Sequence, residues 1–172
     1  LFSGFAKSFK GLETANTEQF VDGLLQGVKQ AYSAVINPVE GTILTVAREA
    51  ADVAKKYARK EDDLLKVLEV YLVEAYASLE RTPDLLPVLK EAGVVDSGAA
   101  GFILIIEGII LALKGEILED SKFATVSSVS TELPTYSGDI DFGYCTEFII
   151  QLKDGENFNK ETFTNRIATF GD

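Results

Sequence analysis

Gly93-Val94-Val95-Asp96-Ser97-Gly98-Ala99-Ala100-Gly101 leads straight into Phe102-Ile103-Leu104-Ile105-Ile106-Glu107-Gly108-Ile109-Ile110-Leu111-Ala112-Leu113. A turn of small residues feeds the most apolar segment of the chain, and Glu107 is the one charged residue from Phe102 to Leu113. A helix that is apolar all round is one that other elements surround. The stretch therefore predicts the core helix of a bundle, buried on all sides, with its Gly-rich N-terminus at one rim. Small residues at a helix N-terminus leave backbone N–H groups within reach of an anion. The run is shorter than the ~20 apolar residues that cross a bilayer, so no integral membrane segment is expected.

Upstream, apolar residues recur at helical spacing. Phe2, Phe5, Ala6 and Phe9 share one face over residues 2–10, which Gly11 breaks. Asn16 or Thr17 caps a second helix with Glu18 in its first turn. Its stripe is Phe20, Val21, Leu24, Val28, Ala31, Tyr32, Val35 and Ile36, ending at Asn37-Pro38. A turn over Pro38–Thr42 precedes a third helix, whose face is Ile43, Val46, Ala47, Ala50, Val53, Ala54 and Tyr57. Lys55, Lys56, Arg59 and Lys60 crowd its C-terminal end, where the helix dipole favours cations. Asp62-Asp63 opens a fourth helix with Leu64, Leu65, Leu68, Tyr71, Leu72, Ala75 and Leu79 inward. Pro83 is expected to end it, because the residue before a proline avoids the helical region. Thr82 then caps a short helix to Glu91 with Pro83 in first position, and Gly93 closes it. Asp96 caps the apolar helix.

Six antiparallel helices joined by short loops make residues 1–115 a mainly α bundle. Residues 116–135 are rich in Ser and Thr and read as a linker. From 136 the character changes. Phe142, Tyr144, Thr146, Phe148, Ile150 and Leu152 alternate with Gly143, Cys145, Glu147, Ile149 and Gln151, the period of a strand. Asp154-Gly155 is a turn, and Asn159 caps a helix that places Phe163, Ile167 and Phe170 inward. Residues 136–172 thus read as the start of a small α+β domain.

Composition narrows the chemistry. A net charge of −11 over 172 residues argues against nucleic acid or anionic membrane as a partner. The absence of His removes the commonest general base and zinc ligand. A single Cys allows no internal disulfide, and a reducing, cytoplasmic setting is expected. The chain has no Met and opens with Leu1-Phe2 inside a helical pattern, so a fragment of a longer protein is expected, and it stops at Asp172 without a natural end.

Three helix ends are candidates for function. Gly41 and Thr42 open the third helix, where backbone N–H groups and a hydroxyl suit a phosphate, as they suit an ordinary cap. Arg81 ends the fourth helix, placed either to clamp a phosphate or to lie in solvent. Asp96 and Gly98 lie at the start of the apolar helix, Asp96 as a cap or as a polar contact at a ligand rim. Glu107 needs a partner, and Lys or Arg residues on the third and fourth helices are available. Asp139-Ile140-Asp141 reads as a solvated turn outside the bundle.

The runs Pro38–Glu49, Arg81-Thr82-Pro83, Leu86–Gly98 and Phe142–Phe148 resemble the bacterial fatty acid kinase family, whose N-terminal domain is similar to the nucleotide-binding L subunit of dihydroxyacetone kinase. The resemblance implies an antiparallel α-helical barrel with ATP and Mg²⁺ at one rim. It implies transfer of the ATP γ-phosphate to a fatty acid carboxylate presented by a DegV-type fatty-acid-binding protein, feeding phospholipid synthesis. By motif it makes Gly41 and Thr42 the loop lining the nucleotide, Arg81 the arginine closing over the phosphates, and Asp96 and Gly98 the Asp-x-Gly turn of the rim. Cys145 resembles a cysteine that joins a middle-domain metal site, Zn²⁺, with His residues, which this chain lacks. The family's Mg²⁺-binding Asp cluster and Ser-Gly-rich phosphate loop belong upstream of Leu1, so the fragment alone is expected to be inactive. Two rival readings stay open: a non-catalytic helical module for binding or assembly, including a homodimer, and a phosphotransferase of the dihydroxyacetone (glycerone) kinase type.

Overall fold

A computed structural model describes residues 1–116, 149–153 and 158–170. The chain divides into two units, Leu1–Val129 and Ser130–Asp172. In the first unit the described residues form six helices: α1 (Phe2–Ser8), α2 (Thr17–Ala34), α3 (Ile43–Ala58), α4 (Leu64–Leu85), α5 (Pro87–Ala92) and α6 (Ser97–Leu113). The mainly α fold expected from periodicity is present. Local chemistry sets most of the ends. Asn16 and Gln19 close a reciprocal capping box on α2. Thr42 caps α3, Asp63 caps α4 and Asp96 caps α6. Gly93 ends α5 in the left-handed region at φ 66°.

α3 lies at the centre, packed against α2, α4 and α6. Five alanines, Ala47, Ala50, Ala51, Ala54 and Ala58, point into these contacts and are all buried. Small side chains let neighbouring backbones come close on several sides at once, so larger residues from the neighbours, Val21, Leu68, Tyr71 and Ile103, fill the remaining space. α1 is held differently. A Cβ added at Gly4 would stand 2.6 Å from the Gln26 carbonyl, and one at Gly27 would stand 2.8 Å from the Leu1 carbonyl. α1 and α2 thus touch backbone to backbone. The rings of Phe5 and Phe9 then pack against Phe20, with centroids 5.2 and 6.2 Å away.

Four expectations need correction. First, α6 is not buried on all sides. Ala99, Phe102, Ile103, Ile106 and Ile110 face the core, whereas Leu104 is 63% and Ile105 47% exposed. Apolar composition makes a helix able to be surrounded; the number of neighbours decides whether it is, and α6 packs chiefly on α3 and α4. Second, Pro83 does not end α4, which continues to Leu85. Proline cannot donate to the carbonyl four residues back. Here that carbonyl, on Leu79, accepts the Thr82 hydroxyl at 2.7 Å instead. The proline that opens α5 is Pro87. Third, α2 stops at Ala34, leaving Val35 and Ile36 exposed. Fourth, Glu107 pairs with no Lys or Arg among the described residues; it accepts the Tyr76 phenol at 2.7 Å.

In the second unit the described helix is α7 (Lys160–Ile167), capped by Asn159 as expected. Its apolar residues do not turn inward as a set. Phe163 is half-buried and meets Phe158 at 5.3 Å, while Ile167 and Phe170 are exposed, with Arg166 over the Phe170 ring. The strand expected over Phe142–Leu152 lies outside the described residues up to Phe148; residues 149–152 form none, and Ile149 is 99% exposed. The linker, apart from Glu116, and the Asp154-Gly155 turn also lie outside the described residues.

Candidate functional site

The N-termini of α3 and α6 and the C-terminal end of α4 meet at one rim. Asp96 joins them. Its Oδ2 accepts the Ala99 N–H at 2.7 Å, the ordinary cap of α6, and also the Ile43 N–H at 3.1 Å, from the first turn of α3. Its own N–H donates to Thr82 Oγ1 on α4 at 3.2 Å. One carboxylate therefore serves two positive helix ends at once. Gly41 lies against the same place in the left-handed region, φ 80°. A Cβ there would stand 2.9 Å from both the Thr82 carbonyl and the Leu86 Cβ, so only glycine fits the turn and the contact together.

This arrangement uses up donors that the sequence left available. The Gly41 N–H goes to Thr45 Oγ1 at 2.8 Å. The Thr42 hydroxyl donates to the Val39 carbonyl and accepts the Leu44 N–H. The first turn of α3 is thus closed, partly by a carboxylate, and Gly41 and Thr42 shape the rim rather than present donors to it. Among the described residues the N–H groups of Ser97 and Gly98 carry no hydrogen bond. These two, at the positive end of α6, are the donors the rim offers an anion.

Behind the rim runs a belt of polar side chains that periodicity did not single out. Glu40 accepts Tyr32 at 2.8 Å, Thr45 at 2.5 Å and Arg48 at 2.7 Å. Arg48 Nε in turn donates to the Tyr32 oxygen at 3.1 Å. Burial pushes the Glu40 carboxyl up, but the bonds from Thr45, Arg48 and Tyr32 outweigh it and hold it below the usual range. The Tyr32 phenol is raised, by burial first and by Glu40 also. Since Thr45 holds both Gly41 and Glu40, this cluster fixes the Gly41 turn from behind.

Arg81 is the one expected site residue of the bundle that does not join the rim. Its terminal nitrogen Nη2 donates to Glu49 at 2.8 Å and to Glu74 at 2.6 Å. Glu49 also accepts the Ser78 hydroxyl at 2.7 Å. Burial raises the Glu49 carboxyl, yet the bonds from Arg81 and Ser78 bring it below its ordinary value. The structure thus brings Gly41, Thr42, Asp96 and Gly98 together and leaves Arg81 paired along the α3–α4 groove. Cys145 lies outside the described residues. Among the described residues no three Asp, Glu, Cys or His side chains stand close enough to hold a metal ion, so Mg²⁺ or Zn²⁺ finds no ligand set there.

The residues missed, Tyr32, Glu40, Thr45, Arg48 and Thr82, left one signal in the sequence. Glu40, Thr45 and Arg48 follow each other at spacings of five and three, which brings them to one side of the loop–helix junction.

Comparison with known proteins agrees with this geometry. A family profile described as DAK2 domain matches residues 1–111. A second profile, for the middle domain of proteins like the kinase component of fatty acid kinase, matches residues 141–172. An uncharacterized protein of Staphylococcus saprophyticus is 44% identical over 179 aligned residues, covering 100% of this chain and 32% of the relative. Protein YloV of Bacillus subtilis is 41% identical over 181 residues, covering 100% of this chain and 33% of the relative. An uncharacterized protein of Staphylococcus aureus is 39% identical over 186 residues, with the same coverage of 100% and 33%. The chain spans about a third of the length of the curated relatives it matches.

Proposed function

This chain belongs to the DAK2 domain family and carries the start of a middle domain of the fatty acid kinase type, and from that premise we propose that it is part of an ATP-dependent fatty acid kinase. The reaction moves the γ-phosphoryl group of ATP to a fatty acid carboxylate. The bond from the γ-phosphorus to the β–γ bridging oxygen breaks, one from phosphorus to a carboxylate oxygen forms, and acyl phosphate and ADP leave. The carboxylate is already ionised, so no general base is required, which suits a chain without His. Positioning and charge stabilisation are then the main tasks.

The observation that carries this reading is the rim itself. Asp96 ties the first turns of α3 and α6 together, and the two unspent N–H groups beside it lie on the stretch, Asp96–Gly98, that resembles the family's nucleotide turn. In this reading Ser97 and Gly98 donate to a phosphate, Gly41 and Thr42 form the wall of the nucleotide site, and Asp96 holds the wall rather than touching the anion. Arg81 closes over the phosphates. Mg²⁺ travels with ATP and takes its protein ligands from outside the described residues. A DegV-type protein presents the acyl chain, and the acyl phosphate enters phospholipid synthesis in the cytoplasm.

The test is ADP formation by the full-length protein with Mg·ATP and a DegV-type partner loaded with fatty acid. Turnover is expected only when partner, fatty acid and ATP are all present, and Gly98→Val is expected to abolish it while leaving the circular dichroism spectrum intact. Turnover with dihydroxyacetone in place of the loaded partner would move the assignment to a glycerone kinase-type enzyme. Complex formation without ATP consumption would leave a binding module.

A further inference from the structure

Arg81 is not placed where the proposed nucleotide sits, and the residues that hold it say why. Its backbone is at rim level, one residue before Thr82, which bonds Asp96. Its guanidinium points the other way. Glu74 lies seven residues earlier on α4, and Glu49 lies six residues into α3 from Ile43. At 1.5 Å per residue both carboxylates are about 9–10 Å down the helices from the rim. Both bonds leave from one nitrogen, Nη2. Nε and the other terminal nitrogen carry no hydrogen bond among the described residues, so most of the five donors of a guanidinium remain unspent.

The exchange is cheap in structural terms. Arg81 is the more exposed partner, at 47%, against 27% for Glu49 and 26% for Glu74. If Arg81 leaves, Glu49 keeps the Ser78 hydroxyl and the Arg48 guanidinium 3.9 Å away. Glu74 keeps its solvent contact. No buried charge is orphaned, which is what makes breaking an interior ion pair costly.

Resting on the reading that Arg81 meets the phosphates, we propose that Glu49 and Glu74 are positioning residues that hold Arg81 off the rim until a polyphosphate draws it away. A neutral or weakly charged ligand does not outbid two carboxylates for one guanidinium; a polyphosphate with several negative oxygens does. The pair therefore sets the affinity for nucleotide without touching it.

A double-mutant cycle tests this in the full-length protein, using a fluorescent ATP analogue with Mg²⁺ as the probe and thermal melting to confirm folding. The paired substitution Glu49→Gln with Glu74→Gln keeps shape and keeps an acceptor for Ser78. It is expected to tighten nucleotide binding roughly fivefold or more, the scale of two partly exposed ion pairs. Arg81→Ala is expected to weaken binding, and adding the two Gln substitutions to Arg81→Ala should then change nothing further. If the Gln pair tightens binding as much without Arg81 as with it, the glutamates repel the phosphates directly and the positioning role is overturned, while the kinase reading stands. If the Gln pair weakens binding or leaves it unchanged, the positioning role is also overturned. If Arg81→Ala leaves binding unchanged, Arg81 is not a phosphate ligand and both statements fall.

Discussion

α3 and α6 are neighbours with opposite fates. α6 is nearly all Ile, Leu, Ala and Gly, yet Leu104, Ile105 and Leu113 stand in the open. α3 carries Arg48, Glu49, Asp52, Lys55 and Lys56, yet it is the helix the others gather around, with five alanines and Val46 inside. Hydrophobicity does not rank these two helices by burial. Size and placement do. A helix faced with alanine admits three partners at close range, and its long charged side chains reach out between them. A helix faced with isoleucine takes two partners and leaves the rest of its surface uncovered.

The sharpest way to break this contrast is to change the same residue type on two sides of α6. Ile103 is 1% exposed and Ile105 47%. Ile103→Ala should lose ~2–5 kcal/mol of stability, and Ile105→Ala less than ~0.5 kcal/mol, read from urea denaturation midpoints at equal slope. Equal losses would mean that something covers the outer face of α6. Next in size is the crowded side of α3. Ala50→Leu adds volume where there is none and should cost ~1–3 kcal/mol. On α6 the opposite holds, because a Cβ at Gly101 meets nothing within 4 Å. Gly101→Ala should therefore raise stability by ~0.5–1 kcal/mol, the helical preference of Ala over Gly.

The smallest expected effect concerns pH. Glu40 and Glu49 both have carboxyls held below their usual range by hydrogen bonds. A depressed carboxyl contributes stability that is present above its unfolded value, about 4.3, and is lost as pH falls through the folded value. The denaturation midpoint should drop below that pH, and Glu40→Gln should flatten the drop. A variant as acid-sensitive as the parent would show that the belt behind Gly41 is not what titrates.

What the chain announced in its sequence was local. Asn16, Thr42, Asp63, Gly93, Asp96 and Asn159 cap helices close to themselves in the chain, and such pairings are visible in a string of letters. The end of α4 was not, because Pro83 continues the helix only through the hydroxyl of the residue before it. Nor was the second bond of Asp96, which spans 53 positions. The direction of Arg81 depends on Glu49, 32 positions away on another helix. The site residues Gly41, Thr42, Asp96 and Gly98 were identifiable as a set because helix ends that carry Gly and a short acid are distinctive. Which of their donors were already spent depended on Thr45 and Val39, and that needs three dimensions.

Asp96 has one further consequence, which concerns time rather than energy. The amide protons of Ile43 and Ala99 belong to helices 56 positions apart in the chain, yet they bond the same oxygen atom. Whatever fluctuation swings that carboxylate aside exposes both protons to water together. In a hydrogen-exchange experiment the two amides should therefore keep a common clock, and a nucleotide bound at the rim should slow both by the same factor.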